Sequence, residues 1–234
     1  MELLDPKQFR NLTEADCIAI QQKLAGLIEE RDGFEKLETA AGVDIAYWQE
    51  GERECAVCCI VVIRVGDHTV IETEYSTGEI SFPYIPGCFA FRELPLVLET
   101  AAKLRCWPDV YLFDGNGILH PRKMGLAAHA SFYLNAPAAG IAKHCFRIGG
   151  AVYPEPDSTA GAYTDITKDG RVLGRIVRTH TAVKPVYISV GNRVSIETVT
   201  DLALQLTEKE SRIPIPTRLA DLETHRRRKE LQQV

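Results

Sequence analysis

Asp114 closes a short apolar run, Val110-Tyr111-Leu112-Phe113, and Gly115-Asn116-Gly117 follows at once. With Pro108-Asp109 in front and glycines behind, the run reads as a strand buried on both faces that stops at a turn. A carboxylate at the carboxyl end of a central strand, beside glycines that let a ligand approach the backbone, stands where open α/β sheets keep their chemistry. An Asp there can also do no more than start a turn. Asp44 lies inside a second strand-like run, between Val43 and Ile45. An ionised side chain is costly to bury there without a partner, although a hydrogen-bonded structural Asp is the alternative. Cys55, Cys58 and Cys59 contain a Cys-x-x-Cys spacing, but they sit in the continuous β-type run ECAVCCIVVIRV with no second Cys or His pair at finger spacing. They read as core, not as a zinc site.

The bounds are those of an ordinary globular chain. There are 234 residues, 45% apolar and 25% charged, with a net charge of −5. This excludes a protein that holds nucleic acid by bulk charge, so any such contact must use local patches. The start, MELLDPKQFR, has no apolar signal core, and no run approaches membrane-spanning length. Seven Cys, mostly in apolar runs, suit a reducing cytoplasm, the expected location.

The elements that must position these carboxylates follow in order. Thr13 to about Arg31 reads as an amphipathic helix capped by Thr13. Gly42–Trp48, Cys55–Arg64 and Thr69–Tyr75, joined by tight turns, read as an antiparallel meander. The stretch SFPYIPGCFAFRELP, with its prolines and glycine, reads as irregular, and Pro95 is expected to open a helix. The Asp114 strand, a helix over about Lys123–Leu134 and a strand Ala138–Ala142 make strand–helix–strand steps, so these strands should run parallel. Arg147–Gly170 reads as an excursion. Strands Val172–Arg178 and Val186–Val190 lead to a helix from Ser195 to about Lys209. Arg212–Asp221 is proline-broken, and residues 222–234 are expected to form a mobile basic tail on one domain, 1–234.

Three antiparallel strands, a helix, a parallel strand, a helix and a strand is the order of a ribonuclease H-like α/β fold: a mixed central sheet, antiparallel meander plus parallel strands, flanked by helices. In that topology the strands of Asp44 and Asp114 are neighbours. Two facing carboxylates repel unless a divalent cation joins them, and hard oxygen ligands favour magnesium or manganese.

VDIAY around Asp44, FPYIPGCFAFRELP from Phe82 to Pro95, and LFDGNGILHPRKMGLAAH from Leu112 to His129 carry a resemblance to a known family. So do GIAKH at Gly140–His144, PVYISVGNRVS at Pro185–Ser195 and IPTRLAD at Ile215–Asp221. In this order they resemble endonuclease V, a family that nicks nucleic acid near deoxyinosine. The resemblance implies a metal site of Asp44, Glu93 and Asp114 with Asp221 near it, holding Mg2+ or, in its place, Mn2+. It implies that Lys143 holds the attacking water or scissile phosphate and that His120 lies near the phosphate backbone. Tyr84, Ile85 and Pro86 would be a wedge at the lesion, with Gly87, Phe89 and Gly115 against the flipped base. Charge for the strand would come from Arg122, Lys123, Lys143, Arg147, Arg193 and Arg226–Lys229. The implied activity is hydrolysis of a phosphodiester 3′ to deoxyinosine in DNA, leaving a 3′-hydroxyl and a 5′-phosphate, by a monomer that meets no membrane. Inosine-containing RNA is the other substrate open to the same site, and lesion binding without turnover is the alternative of another class.

Overall fold

The structure, a computed structural model, describes residues 3–233. A short 3-10 helix, Pro6–Asn11, precedes α1, Glu14–Ala25. Thr13 and Asp16 cap α1 reciprocally, each side chain accepting from the other's backbone N–H. The helix stops at Gly26 rather than near Arg31. The residues beyond it are tied to the loop around Arg193 instead, by Glu29 N–H to Asn192 Oδ1 (2.8 Å) and Arg193 N–H to the Glu29 carbonyl (2.6 Å).

One eight-stranded sheet forms the centre, in the order β3-β2-β1-β4-β5-β8-β7-β6. The meander is β1 (Thr39–Glu50), β2 (Arg53–Arg64) and β3 (Val70–Glu79). β1 runs parallel to β4 (Val110–Phe113), and β4 parallel to β5 (Ala138–Ala142). β8 (Val186–Asn192) and β7 (Arg171–Val177) add antiparallel, with β6 (Tyr163–Lys168) at the edge. β4 and β5 are buried at every position, as their unbroken apolar sequence requires. Cys55, Cys58 and Cys59 are free, buried thiols in β2, with Cys58 and Cys59 on opposite faces of the sheet. α2 (Ala90–Ala101) and α3 (Leu126–Leu134) cover one face; α4 (Ile196–Gln205) and α5 (Ile215–Leu231) cover the other. Among the described residues no helix is long and apolar enough to cross a membrane.

Further expectations are corrected. α2 opens at Ala90, inside the stretch read as irregular, and Pro95 lies within it. Burial overrides the missing proline donor: Phe91 is fully enclosed and stacks edge-on with Phe9 at 5.0 Å. The excursion contains β6, paired with β7 through a turn whose Asp169 and Gly170 both have positive φ, 51° and 74°. The proline-broken segment is the start of α5, because Pro216 in a first turn loses only a donor that is unpaired anyway. The expected tail is therefore helical to Leu231, with Thr224 fully buried. α5 lies directly on β1: a Cβ on Gly42 would come 2.0 Å from the Pro216 carbonyl carbon.

Candidate active site

The parallel pairing of Val43 with Phe113 puts Asp44 and Asp114 on adjoining strands, where β4 ends and β1 continues. Asp114 N–H still donates to the Val43 carbonyl at 3.3 Å. β5 ends one residue before Lys143, whose ammonium contacts Asp114 Oδ2 at 2.8 Å and Asp221 Oδ1 at 2.7 Å. Asp221 comes from the second turn of α5, not from a loop. One turn later Thr224 donates its hydroxyl to Asp44 Oδ2 at 2.6 Å. Glu93 sits in the first turn of α2, buried, and its Oε1 accepts from the Tyr47 hydroxyl at 2.6 Å.

Donor atoms of Asp44, Asp221 and His225 lie within 4.8 Å of one another. The expected set of Asp44, Glu93 and Asp114 does not close up to that degree among the described residues; Glu93 and Asp114 are turned to Tyr47 and Lys143. Burial pushes the Asp44 carboxyl up to about 6, with Thr224 opposing and Asp114 and Asp221 adding to the rise. Burial likewise pushes Glu93 up to about 8, against the Tyr47 hydrogen bond and with help from Asp44. Burial opposes charge on Lys143, yet hydrogen bonds and attraction from Asp114 and Asp221 outweigh it and raise its pKa. Carboxyls crowded beyond what one ammonium compensates are a donor set that fits a hard divalent ion. Asp44, Asp114, Asp221 and Glu93 offer oxygens, and His225 a nitrogen.

Tyr47, Thr224 and His225 escape the sequence reading. The last two had a signal, since Asp221, Thr224 and His225 stand at i, i+3 and i+4 and share one helical face.

Beside Asp114 opens a cavity of about 330 Å³ lined by Tyr84, Gly87, Phe89, Gly115, Asn116, His120 and Phe146. Tyr84 is 69% exposed, and its ring meets that of Phe89 at 6.3 Å. Of the expected wedge, Tyr84 and Pro86 stand out, while Ile85 is tucked against the core. Gly87 has φ 76°, a conformation that favours glycine. Gly115 is less constrained: a Cβ there would meet Leu126 at an ordinary 3.9 Å.

His120 lies in the cavity wall. Its Nδ1 accepts from the N–H groups of Arg122 (3.2 Å) and Met124 (3.3 Å), so Nε2 carries the proton and donates to the Gly87 carbonyl at 3.1 Å. Burial, then the Arg122 charge, pushes its pKa down to about 4, and the ring is neutral at physiological pH. Arg122 also turns inward, donating to the Gly87 carbonyl at 2.7 Å. Other expected cations are engaged within the chain: Arg147 over the Tyr153 ring, Arg193 on Asn135, and Arg226 on Glu223 and Glu230.

A sheet of this order, with one acidic side chain inside β1 and another directly after β4, has the ribonuclease H-like fold. The family model for Endonuclease V matches residues 22–222. Endonuclease V of Clostridium acetobutylicum is 45% identical over 233 residues, 99% of this chain and 100% of that one. The crystal structure of the Bacillus subtilis protein superposes with a TM-score of 0.94 at 45% identity, covering 100% of this chain and 99% of that chain. The Ciona intestinalis enzyme, solved with a 24mer DNA containing an inosine followed by a ribo-adenosine, gives a TM-score of 0.82 at 26% identity, covering 93% of this chain and 98% of that one. The chain belongs to the endonuclease V family, whose members are hydrolases acting on phosphodiester bonds.

Proposed function

We propose that this nuclease cleaves DNA on the 3′ side of deoxyinosine, using Mg2+, with Mn2+ able to replace it, and leaves a 3′-hydroxyl and a 5′-phosphate. The observation that carries the reading is the cavity of about 330 Å³ opening beside Asp114, the carboxylate at the end of β4. An extruded purine in that cavity sets the neighbouring phosphate over the acidic cluster. The inosine-containing DNA bound by the Ciona relative supports the same choice of substrate.

Asp44, Asp114, Asp221 and Glu93, with His225, would hold the cation. When bound, it supplies Lewis acidity, making a water more acidic and offsetting negative charge on the phosphate oxygens. Lys143 brings positive charge to the same point, and the contacts it makes with Asp114 and Asp221 fix where that charge stands. Tyr84 and Pro86 provide a stiff, exposed wedge for a separated base step. The Gly87 carbonyl is already taken by donors of the chain, so Gly87 offers a base its N–H and its bare α-carbon. An N–H in the cavity suits hypoxanthine, which presents a carbonyl where adenine presents an amine.

The test is incubation with matched DNA and RNA strands carrying inosine or adenosine, with Mg2+ or Mn2+, resolved on a denaturing gel. The inosine DNA strand should be cut and the adenosine strand spared. Preferential cutting of the RNA strand would move the substrate to inosine-containing RNA. Binding without cutting would make the protein a lesion binder.

A further inference from the structure

Gln21 belongs to α1, a helix that contributes no other side chain to the site, and it is 0% exposed. Its Nε2 donates to the Gly87 carbonyl at 2.9 Å, and its Oε1 accepts from Arg122 Nε at 2.6 Å. A single orientation of the amide satisfies both contacts, because Arg122 can only donate and a carbonyl can only accept. Arg122 and His120 donate to the same Gly87 oxygen, at 2.7 and 3.1 Å. Three side chains from two distant parts of the sequence, α1 and the segment after Gly117, thus converge on one backbone oxygen of a left-handed glycine in the cavity wall.

A buried amide and a guanidinium spent on a loop carbonyl fix the orientation of the Gly87 peptide group, and hence the direction of the backbone facing a base. We propose that Gln21, acting with Arg122 and His120, is a positioning clamp on Gly87 that sets which base the cavity accepts. The proposal rests on the deoxyinosine reading above. Gln21 touches neither substrate nor the acidic cluster, so it should govern selectivity and leave the chemical step alone.

Two variants test it. Gln21→Glu keeps an acceptor for Arg122 but sets an oxygen against the Gly87 carbonyl; Gln21→Met keeps the length and removes the hydrogen bonds to Gly87, Met124 and Arg122. Binding of fluorescent strands carrying deoxyinosine or deoxyadenosine is measured in EDTA, beside the single-turnover cleavage rate at saturating protein with Mg2+. The preference for deoxyinosine should fall roughly tenfold, the equivalent of one hydrogen bond, in both variants. The rate of the saturated complex should stay within about twofold of wild type. If wild type discriminates and the folded variants discriminate equally well, the clamp is wrong. A parallel fall in rate and preference, or failure of both variants to fold, would make Gln21 structural and overturn it as well. A wild type that binds the two strands alike would instead overturn the deoxyinosine reading.

Discussion

Glu93 and Asp44 give the metal-free protein an unusual dependence on pH. Their folded-state values, about 8 and about 6, lie above the 4.5 and 3.8 of free carboxyls, so the folded chain binds more protons than the unfolded one between those limits. Stability from these groups is complete below the unfolded values and is lost as pH rises through the folded ones. In EDTA the melting temperature should therefore fall from about pH 5 to about pH 8, and Mg2+ at the upper end should restore it by replacing the protons. A flat or rising profile in EDTA would contradict the reading of these carboxyls. Tyr47 belongs to the same account. Tyr47→Phe keeps the ring against Phe89 and removes the donor to Glu93. A hydrogen bond to a carboxylate of this kind is worth about 1.5–3 kcal/mol, so calorimetric Mg2+ affinity should weaken by about tenfold or more. Unchanged affinity would show that Glu93 needs no holder. Asp44 and Asp114 were legible in the sequence because charge inside an apolar strand, or directly at its end, is conspicuous. Tyr47 and Gln21 were not, because each acts through a partner far away in the chain, whereas Thr224 and His225 shared a helical face with Asp221.

At the scale of elements, the seat of α5 on β1 decides whether Asp221 and Thr224 reach Asp44. Gly42→Ala forces a methyl to within 2.0 Å of the Pro216 backbone, a contact no rotamer change can relieve. Overpacking of this kind typically costs about 1–3 kcal/mol, and metal affinity should fall with it because α5 carries part of the cluster. Urea denaturation beside calorimetry checks both, and wild-type values in each would refute the seat. The loop that carries Gly87 allows the opposite dissociation. A Cβ on Gly87 would come 2.6 Å from the Arg122 guanidinium at a φ of 76°. Gly87→Ala should accordingly lose preference for deoxyinosine while keeping Mg2+ binding and melting within a few degrees; loss of metal together with activity would make Gly87 structural. The strands were readable from alternation and apolar runs, and the start of α3 was misplaced by only a few residues. The starts of α2 and α5 were hidden by proline, which signals a break locally but is tolerated in a first turn and, at Pro95, is overridden by the burial of Phe91 and its neighbours. β6 was hidden in a polar stretch, although Asp169-Gly170 is a strong hairpin turn.

Over the whole molecule, the sheet order and the helices laid on it gather residues 44, 93, 114, 143 and 221 at one place. Periodicity gives each strand but not its neighbour, so the gathering was legible only through the expected topology and the resemblance to endonuclease V. The net charge of −5, with Arg147, Arg193 and Arg226 engaged within the chain, leaves strand recognition to the cavity beside Asp114. What this site does to one phosphodiester bond is the most direct test. Metal-stripped protein is mixed with a duplex bearing a single deoxyinosine, Mg2+ is added, and the products are weighed by mass spectrometry. No product should appear before Mg2+ and, after it, one cut on the 3′ side of the lesion with a 3′-hydroxyl and a 5′-phosphate. Equal cleavage in EDTA, or release of free hypoxanthine from an intact strand, would contradict the proposed function.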